Sequence, residues 1–284
     1  SNVKPDLLNS LDLVALGTVC DVMPLIGINR AFVTQGLKVM RKLHNVGLRV
    51  LIELLEINDV PSSYHLGFII GPVINAGGRL GDSRLGAELL RSNNMEEIKS
   101  IAVKLNRYNQ ERRAIELLVL TEAIKIVEEN QMDLPILCVT GWNWHQGVLG
   151  IVASRLKERF NKPTLVISVS DSGVSKGSAR SVSGFDIGKA IIKAFEDGIL
   201  INGGGHSMAA GFTLHQNMTE KLHSYLIDQI ASLLPSNLLD LVYRFDGIMD
   251  LAAVHNNTLD QIVSLEPFGV GYPEPLFILQ NVQI

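Results

Sequence analysis

The stretch "LPILCVTGWNWHQGVLGIVASRLKERFNKPTLVISV" runs from Leu134 to Val169. It opens on a continuous apolar run, breaks at Gly141–Gly147, resumes with helical spacing through Val148–Phe160 and closes on a second apolar run after Pro163. Short apolar runs bounded by Gly and Pro suit buried strands, and the 3.6-residue spacing between them suits a helix. Lys157 and Arg159 fall in that helix's last turn, where the helix dipole favours cations. Strand, helix and strand joined by short loops form a βαβ unit, which implies a parallel strand pair. This part of the chain is therefore expected to be α/β.

Downstream, Gly184–Asp197 predicts a helix, Ala209–Leu214 a strand, and Thr219–Leu234 a closing helix that Pro235 stops. From Leu241 to Val254 the texture changes to short strands, which reads as the start of a third unit. Upstream, no Gly or Pro occurs from Asn93 to Leu134. Asn94 with Glu97 resembles a capping box, and Ile98, Ile101, Leu105, Ile115, Leu118, Ala123 and Ile126 keep an apolar stripe. Between them "NRYNQERR" (Asn106–Arg113) is polar nearly all round, as in a helix that crosses solvent between domains. One helix of about 35 residues, spanning roughly 50 Å, is expected, with a domain boundary near residue 110. Nearer the start, Ser10–Ile26 reads as a buried strand followed by a turn at Asp21 and Pro24. Asn29–Leu43 and Val46–Ile57 read as helices, Gly71–Asp82 as a glycine-rich loop, and Ser83–Ser92 as a short helix.

The 284 residues, 46% hydrophobic, suffice for packed cores and exclude a disordered chain. A net charge of −4 means that any nucleic-acid contact is local rather than general. Two cysteines, Cys20 and Cys138, form neither a metal motif nor a disulfide framework, which suits a reducing cytoplasm. No apolar run reaches the ~18 residues of a membrane span. Ser1-Asn2 resembles the remainder of a cleaved tag, and the final "FILQNVQI" has nothing to close it, so a piece of a longer protein is expected.

Several clusters carry candidate chemistry. In "INGGGHSMAAGF" (Ile201–Phe212), Gly203, Gly204 and Gly205 precede His206. This is either a tight packing turn or a glycine loop that lets an anion approach backbone N–H groups, with the imidazole donating to a phosphate. "KGSARS" adds Lys176, Ser178 and Arg180, a point charge, a hydroxyl and a planar fork suited to phosphate. Alone it would be a solvated basic hairpin. "GWNWHQG" places His145 where α/β folds put ligand loops; its two tryptophans are either base-stacking platforms or core anchors. Asp21 is a turn cap or a metal ligand, and Arg79, after two glycines, a phosphate clamp or a partner of Asp82 or Glu88. One carboxylate does not hold a catalytic metal pair.

"ALGTVCDVMPL", "GPVINAGGRLGD", "GWNWHQGVLGIVASRLKERFNKPTLVIS", "KGSARSVSGFDI", "GGGHSMAAGFTL" and "LEPFGVGYPEPLF" follow one another in the order found in the RecJ family. The chain resembles those bacterial single-strand-specific 5′→3′ DNA exonucleases of the DHH phosphoesterase superfamily over essentially its whole length. The resemblance implies the C-terminal part of a DHH phosphoesterase domain (1–92), a linker helix (93–134), an α/β DHH-associated domain (135–235) and the start of an oligonucleotide-binding, OB-like β-barrel (236–284). It implies Asp21 as a ligand of a two-metal Mn²⁺ or Mg²⁺ centre and Arg79 facing the scissile phosphate. Ser178 and Arg180 match the pocket for the DNA 5′ phosphate, and Gly204, Gly205 and His206 the strand-binding signature. The superfamily's Asp-His-His motif would lie upstream of residue 1, so this chain is expected to be inactive by itself. Single-stranded DNA with a 5′ end is the implied partner, with a single-strand-binding protein or a helicase as protein partners. A DHH phosphodiesterase acting on oligoribonucleotides or cyclic dinucleotides, and a non-catalytic nucleic-acid-binding module, are the alternatives. The chain departs from the family at Val73, where arginine is usual, at "GWNWHQG", where the motif is commonly shorter, and at Tyr272, where asparagine is frequent.

Overall fold

The computed structural model describes residues 6–233, 244–280 and 282. Pro235, expected to stop the last long helix, lies outside the described residues. The chain divides into two compact units, Ser1–Asn109 with Tyr243–Ile284, and Gln110–Val242.

The first unit is helical. It begins with α1 (Leu11–Cys20), α2 (Gly27–Met40) and α3 (Val46–Leu54). The strand expected over Ser10–Ile26 is thus a helix followed by an irregular segment. A continuous apolar run carries no period that separates strand from helix. Here Asp12, Ala15 and Leu16 share a buried side at helical spacing. The α1–α2 approach depends on Gly36: a Cβ there would lie 2.1 Å from the Leu11 carbonyl oxygen. A π-helical stretch, His65–Ile70, runs directly into α4 (Gly71–Leu80), and α5 (Leu85–Arg91) follows.

α4 replaces the expected glycine-rich loop. Pro72 occupies its first turn, immediately after the π-helical stretch. The glycines serve close packing rather than turning. A Cβ on Gly71 would meet Cys20 Sγ at 2.5 Å, and one on Gly77 would meet the Asp82 carbonyl oxygen at 2.7 Å. Val73, where the sequence resemblance implies arginine, is 1% exposed in this core.

α6 is a single helix, Met95–Asn130. Asn94 Oδ1 accepts from the backbone of Glu96 and Glu97 at 3.0 and 3.4 Å, while the Glu97 carboxylate accepts from the Ser92 hydroxyl. Ile98, Ile101, Ala102 and Leu105 join the core of the first unit, and Val119, Ala123 and Val127 a core of the second. The polar middle is not solvated on every side: Asn109 and Arg112 are buried, and Arg112 pairs with Glu116 one turn on. A polar pattern alone does not tell a solvated face from a paired, buried one.

The second unit holds β1 (Leu137–Trp142), α7 (Gln146–Phe160), β2 (Thr164–Val169), β3 (Val174–Arg180), α8 (Ile187–Glu196), β4 (Asn202–His206), β5 (Ala209–His215) and α9 (Thr219–Leu233). The five strands form one sheet in the order β1-β2-β3-β5-β4. β1 and β2 run parallel, as the βαβ pattern requires, and the other pairs are antiparallel. One face carries Cys138, Leu165, Ile167, Ala179, Ala210, Phe212 and Leu214 against α8 and α9. The opposite face carries Leu137, Val139 and Val166 against α7 and α6.

The C-terminal segment contains α10 (Asn256–Val263), β6 (Gly247–Met249) and β7 (Phe277–Leu279), the two strands pairing in parallel. It packs against the helices of the first unit. Leu25 N donates to Val270 O at 2.6 Å, Ser63 Oγ to Phe268 O at 2.8 Å, and Arg30 Nη2 to Leu265 O at 2.7 Å. The segment Asp21–Ile26 is thereby held by residues that follow it by more than 200 positions. No helix among the described residues is long and apolar enough to cross a membrane.

Candidate nucleic-acid interface

The triple glycine is not a loop. It forms β4, at the edge of the sheet, and His206 ends that strand. Alternation along a strand therefore divides the glycines between two faces. Gly203 faces the core, where a Cβ would meet Ile191 Cγ2 at 2.9 Å; Gly205 is exposed but lies against β5, and a Cβ there would meet the Ala209 carbonyl oxygen at 2.3 Å. Gly204 faces outward, and a Cβ there would meet nothing within 4 Å. Only Gly204 is bare toward a ligand; its neighbours are bare because the fold is tight.

The register places the other candidates on the outward face with it. β3 pairs Lys176↔Thr213, Ser178↔Gly211 and Arg180↔Ala209 with β5, and β5 pairs with β4 as Thr213↔Asn202, Gly211↔Gly204 and Ala209↔His206. Three rows result: Lys176–Thr213–Asn202, Ser178–Gly211–Gly204, and Arg180–Ala209–His206. Adjacent strands lie about 4.8 Å apart, so each row is roughly 10 Å wide, and the four-residue length of the columns is about 13 Å. Gly211, like Gly204, has open space where a Cβ would point. The middle row is thus a floor without side chains beyond Ser178, and a depression of about 280 Å³ opens over Asn202, Gly204, Gly211 and Thr213.

α7 forms the wall beside β3. Its Gly150 lets Arg180 pass closely: a Cβ there would lie 2.8 Å from Arg180 Nη2 and 3.1 Å from Ser178 Oγ. Arg180 Nη1 donates to the Ala179 carbonyl at 2.8 Å and to Ser178 Oγ at 3.3 Å, which fixes the guanidinium over the row. Lys176 Nζ donates to Gln146 Oε1 at 3.1 Å, in the first turn of α7. His145 is the N-cap of α7 and accepts from Gly147 N at 3.1 Å through Nδ1. The imidazole is exposed, next to a helix N-terminus that favours anions. Arg180, Ser178, Lys176 and His206 line a trough with hydrogen-bond donors suited to phosphate oxygens.

The tryptophans differ in role. Trp144 is buried over Gly141 and donates to Glu122 Oε2 at 2.9 Å, so it is a core anchor. Trp142 is 55% exposed, but Gly141 shares a row with Ser168 and Lys176, so alternation puts Trp142 on the other face. Asn202, Thr213, Gly211 and Gln146 were not singled out from the sequence. The two-residue step back from His206 through Gly204 points to Asn202 once β4 is known to be a strand.

Asp21 and Arg79 belong to the other unit. Asp21 is exposed at the C-cap of α1 rather than at the end of a strand, and Arg79 is exposed in the last turn of α4 rather than on a loop. Cys20 packs on Gly71 at the start of α4, and Arg79 lies eight residues on, about 12 Å along the helix. Asp82 engages Arg84, with Nη2 to Oδ2 at 2.7 Å. Among the described residues no three carboxylate, imidazole or thiol groups gather as a metal site. Asp21 supplies one carboxylate, and these residues do not complete a two-metal centre.

Residues 133–232 match the DHHA1 domain, and residues 245–284 match the RecJ OB domain. The single-stranded-DNA-specific exonuclease RecJ of Dickeya dadantii is 36% identical over 96% of this chain, and RecJ of Escherichia coli is 34% identical over 96%. The crystal structure of RecJ from Thermus thermophilus in complex with Mn²⁺ superposes with a TM-score of 0.82 at 30% identity, covering 97% of this chain and 40% of that one. The chain is similar to RecJ along nearly its whole length. It spans about half the length of the curated relatives it matches, 49% of each of the two named. A second RecJ structure, also from Thermus thermophilus, is in complex with Mg²⁺ and superposes with a TM-score of 0.81. The RecJ OB match falls on the C-terminal segment that grips Leu25 and Arg30.

Proposed function

We propose that this chain is the part of a single-stranded-DNA-specific 5′→3′ exonuclease that holds the strand and its 5′ phosphate. The observation that carries the reading is the register of β3, β5 and β4. It gathers Lys176, Ser178, Arg180, Gly204 and His206 on one face around a floor bare of side chains. A planar guanidinium and a hydroxyl at one end fit a terminal phosphate, which offers more acceptor oxygens than an internal diester. Gly204 lets the sugar–phosphate chain lie close, His206 and Lys176 donate to it, and His145 meets it at the helix N-terminus.

In the whole protein the hydrolytic step would be a Mn²⁺- or Mg²⁺-dependent phosphodiester cleavage, to which Asp21 would supply one metal-binding carboxylate and Arg79 a contact near the scissile phosphate, so that this chain by itself is inactive. The division that goes with this reading is the C-terminal part of a DHH domain over 1–92, a linker helix over 93–134, the strand-binding domain over 135–235 and an OB-type domain from 236 on. The setting is DNA repair and recombination in the cytoplasm, with a single-strand-binding protein or a helicase as partner.

The test is fluorescence anisotropy with single-stranded DNA, 5′-phosphorylated or 5′-hydroxyl, across a salt series. Tighter binding of the phosphorylated strand is expected. Arg180→Ala should remove that preference, with a loss of about ten- to a hundredfold for the phosphorylated strand, the range of a charge-assisted hydrogen bond. Lys176→Ala should flatten the logarithmic salt slope by about 0.7, the value for one phosphate contact on a single strand. Equal affinity for both ends, or a preference that survives Arg180→Ala, would overturn the reading.

A further inference from the structure

Beyond the end-phosphate row, the same face carries two polar side chains with no assigned role. Asn202 and Thr213 face each other across β4 and β5, two rows from Arg180 and His206. Their register partner on β3 is Lys176, which Gln146 holds in place at 3.1 Å. Asn202 is exposed and Thr213 half-buried. Both border the depression over Gly204 and Gly211, so between them and Ala209 and His206 of the end row there is only backbone.

We infer that Asn202 and Thr213 form a second strand-contact point that engages the chain interior to the 5′ nucleotide. The inference rests on the strand-binding reading and adds length recognition to it. About 13 Å separates the rows at either end, which accommodates up to about four nucleotides at the stacked rise of ~3.4 Å, and fewer when the strand is stretched. A mononucleotide held at Arg180 and His206 does not reach the second point, and a tetranucleotide does. The carboxamide of Asn202 and the hydroxyl of Thr213 are neutral. They hydrogen-bond phosphodiester and sugar oxygens without displacing a counterion, so their contribution is insensitive to salt, unlike that of Lys176. Gln146 is a positioning residue for Lys176 in this row.

The experiment measures binding of this chain to 5′-phosphorylated tetrathymidylate carrying a 3′ fluorophore, with thymidine 5′-monophosphate as competitor. Asn202→Ala with Thr213→Val should weaken the tetranucleotide by about five- to a hundred-and-fiftyfold, the range of two neutral hydrogen bonds. The salt slope and the affinity for the mononucleotide should stay as in the parent chain. Gly204→Val, which raises an isopropyl group in the middle of the trough where no atom lies within 4 Å of the new Cβ, should likewise weaken the tetranucleotide more than the mononucleotide. Unchanged tetranucleotide binding in the Asn202/Thr213 variant overturns the second contact point, as does an equal loss for both ligands. If Arg180→Ala still weakens both ligands in that case, the strand-binding reading stands and only the second point fails. If the parent chain, shown to be folded by circular dichroism, binds neither ligand, both readings fail together.

Discussion

The guanidinium of Arg30 lies over the ring of Tyr272, 4.4 Å from its centroid, while its Nη2 donates to the Leu265 carbonyl. Tyr272 also stacks on Phe268 at 5.9 Å. α2 is thus clamped to the C-terminal segment, and the irregular stretch that carries Asp21 is caught between them, with Leu25 packed against Gly269. Asparagine, which the sequence resemblance leads one to expect at position 272, has no ring to offer the guanidinium.

Tyr272→Ala removes the cation–π contact and the stacked ring together. The expected loss is about 1–2 kcal/mol, seen as a lower urea midpoint for the helical unit. The C-terminal segment should also become more susceptible to proteolysis. An unchanged midpoint would show that the backbone hydrogen bonds to Leu25 and Arg30 hold the segment without the ring.

The adjacent glycines of β4 should respond oppositely to alanine. Gly205→Ala drives a Cβ to 2.3 Å from the Ala209 carbonyl oxygen and 2.5 Å from Ala210 Cα, backbone that cannot rotate away. A cost of about 1–3 kcal/mol is expected. Gly204→Ala meets open space and should stay within about 0.5 kcal/mol of the parent. Thermal denaturation of the two variants side by side decides this; similar losses for both would mean that β4 does not alternate as described.

The chain has two tryptophans, so each can be watched alone. Trp142→Phe leaves the buried Trp144 and should shift emission to shorter wavelength. Trp144→Phe leaves the exposed Trp142, whose emission should be insensitive to added single-stranded DNA, because Trp142 lies on the face opposite the trough. Strong quenching there would place a base on Trp142.

Burial pushes the Cys20 thiol up to about 11 and the Cys138 thiol up to about 12, against an ordinary value near 9. At pH 8 the thiolate fractions are then about a hundredfold and a thousandfold below those of a free thiol, and Ellman's reagent should react correspondingly slowly until the chain unfolds. A folded-state pKa above the unfolded one gives a stabilisation that is complete below pH 9 and lost as the pH rises toward 11–12. Denaturant midpoints should therefore fall over that range, and replacing both cysteines by alanine should reduce the fall.

The periodic parts of the chain were legible without a structure. The βαβ unit, the long helix α6 with its Asn94 cap, and the helices α2, α3, α5, α7 and α8 follow from apolar spacing and end signals, which are local properties. The residue types suited to phosphate were legible too, since a lysine, two serines and an arginine in "KGSARS" keep their chemistry in any fold.

Glycine and uninterrupted apolar runs were misread, because their meaning lies in what approaches them. Gly71 and Gly77, expected in a loop, are close-packed positions within a helix, where a Cβ has no room. The run over Leu11–Cys20 had no period, and its helical form was decided by which residues face α2. In β4, three consecutive glycines have two different reasons to be glycine, and only the pairing with β5 separates them. The sequence by itself determined the α/β class and the supply of anion-binding groups. Tertiary structure alone decided that Lys176, Ser178, Arg180, Gly204 and His206 share one face with Asn202 and Thr213, because strand register depends on cross-strand pairing and cannot be read from one strand at a time.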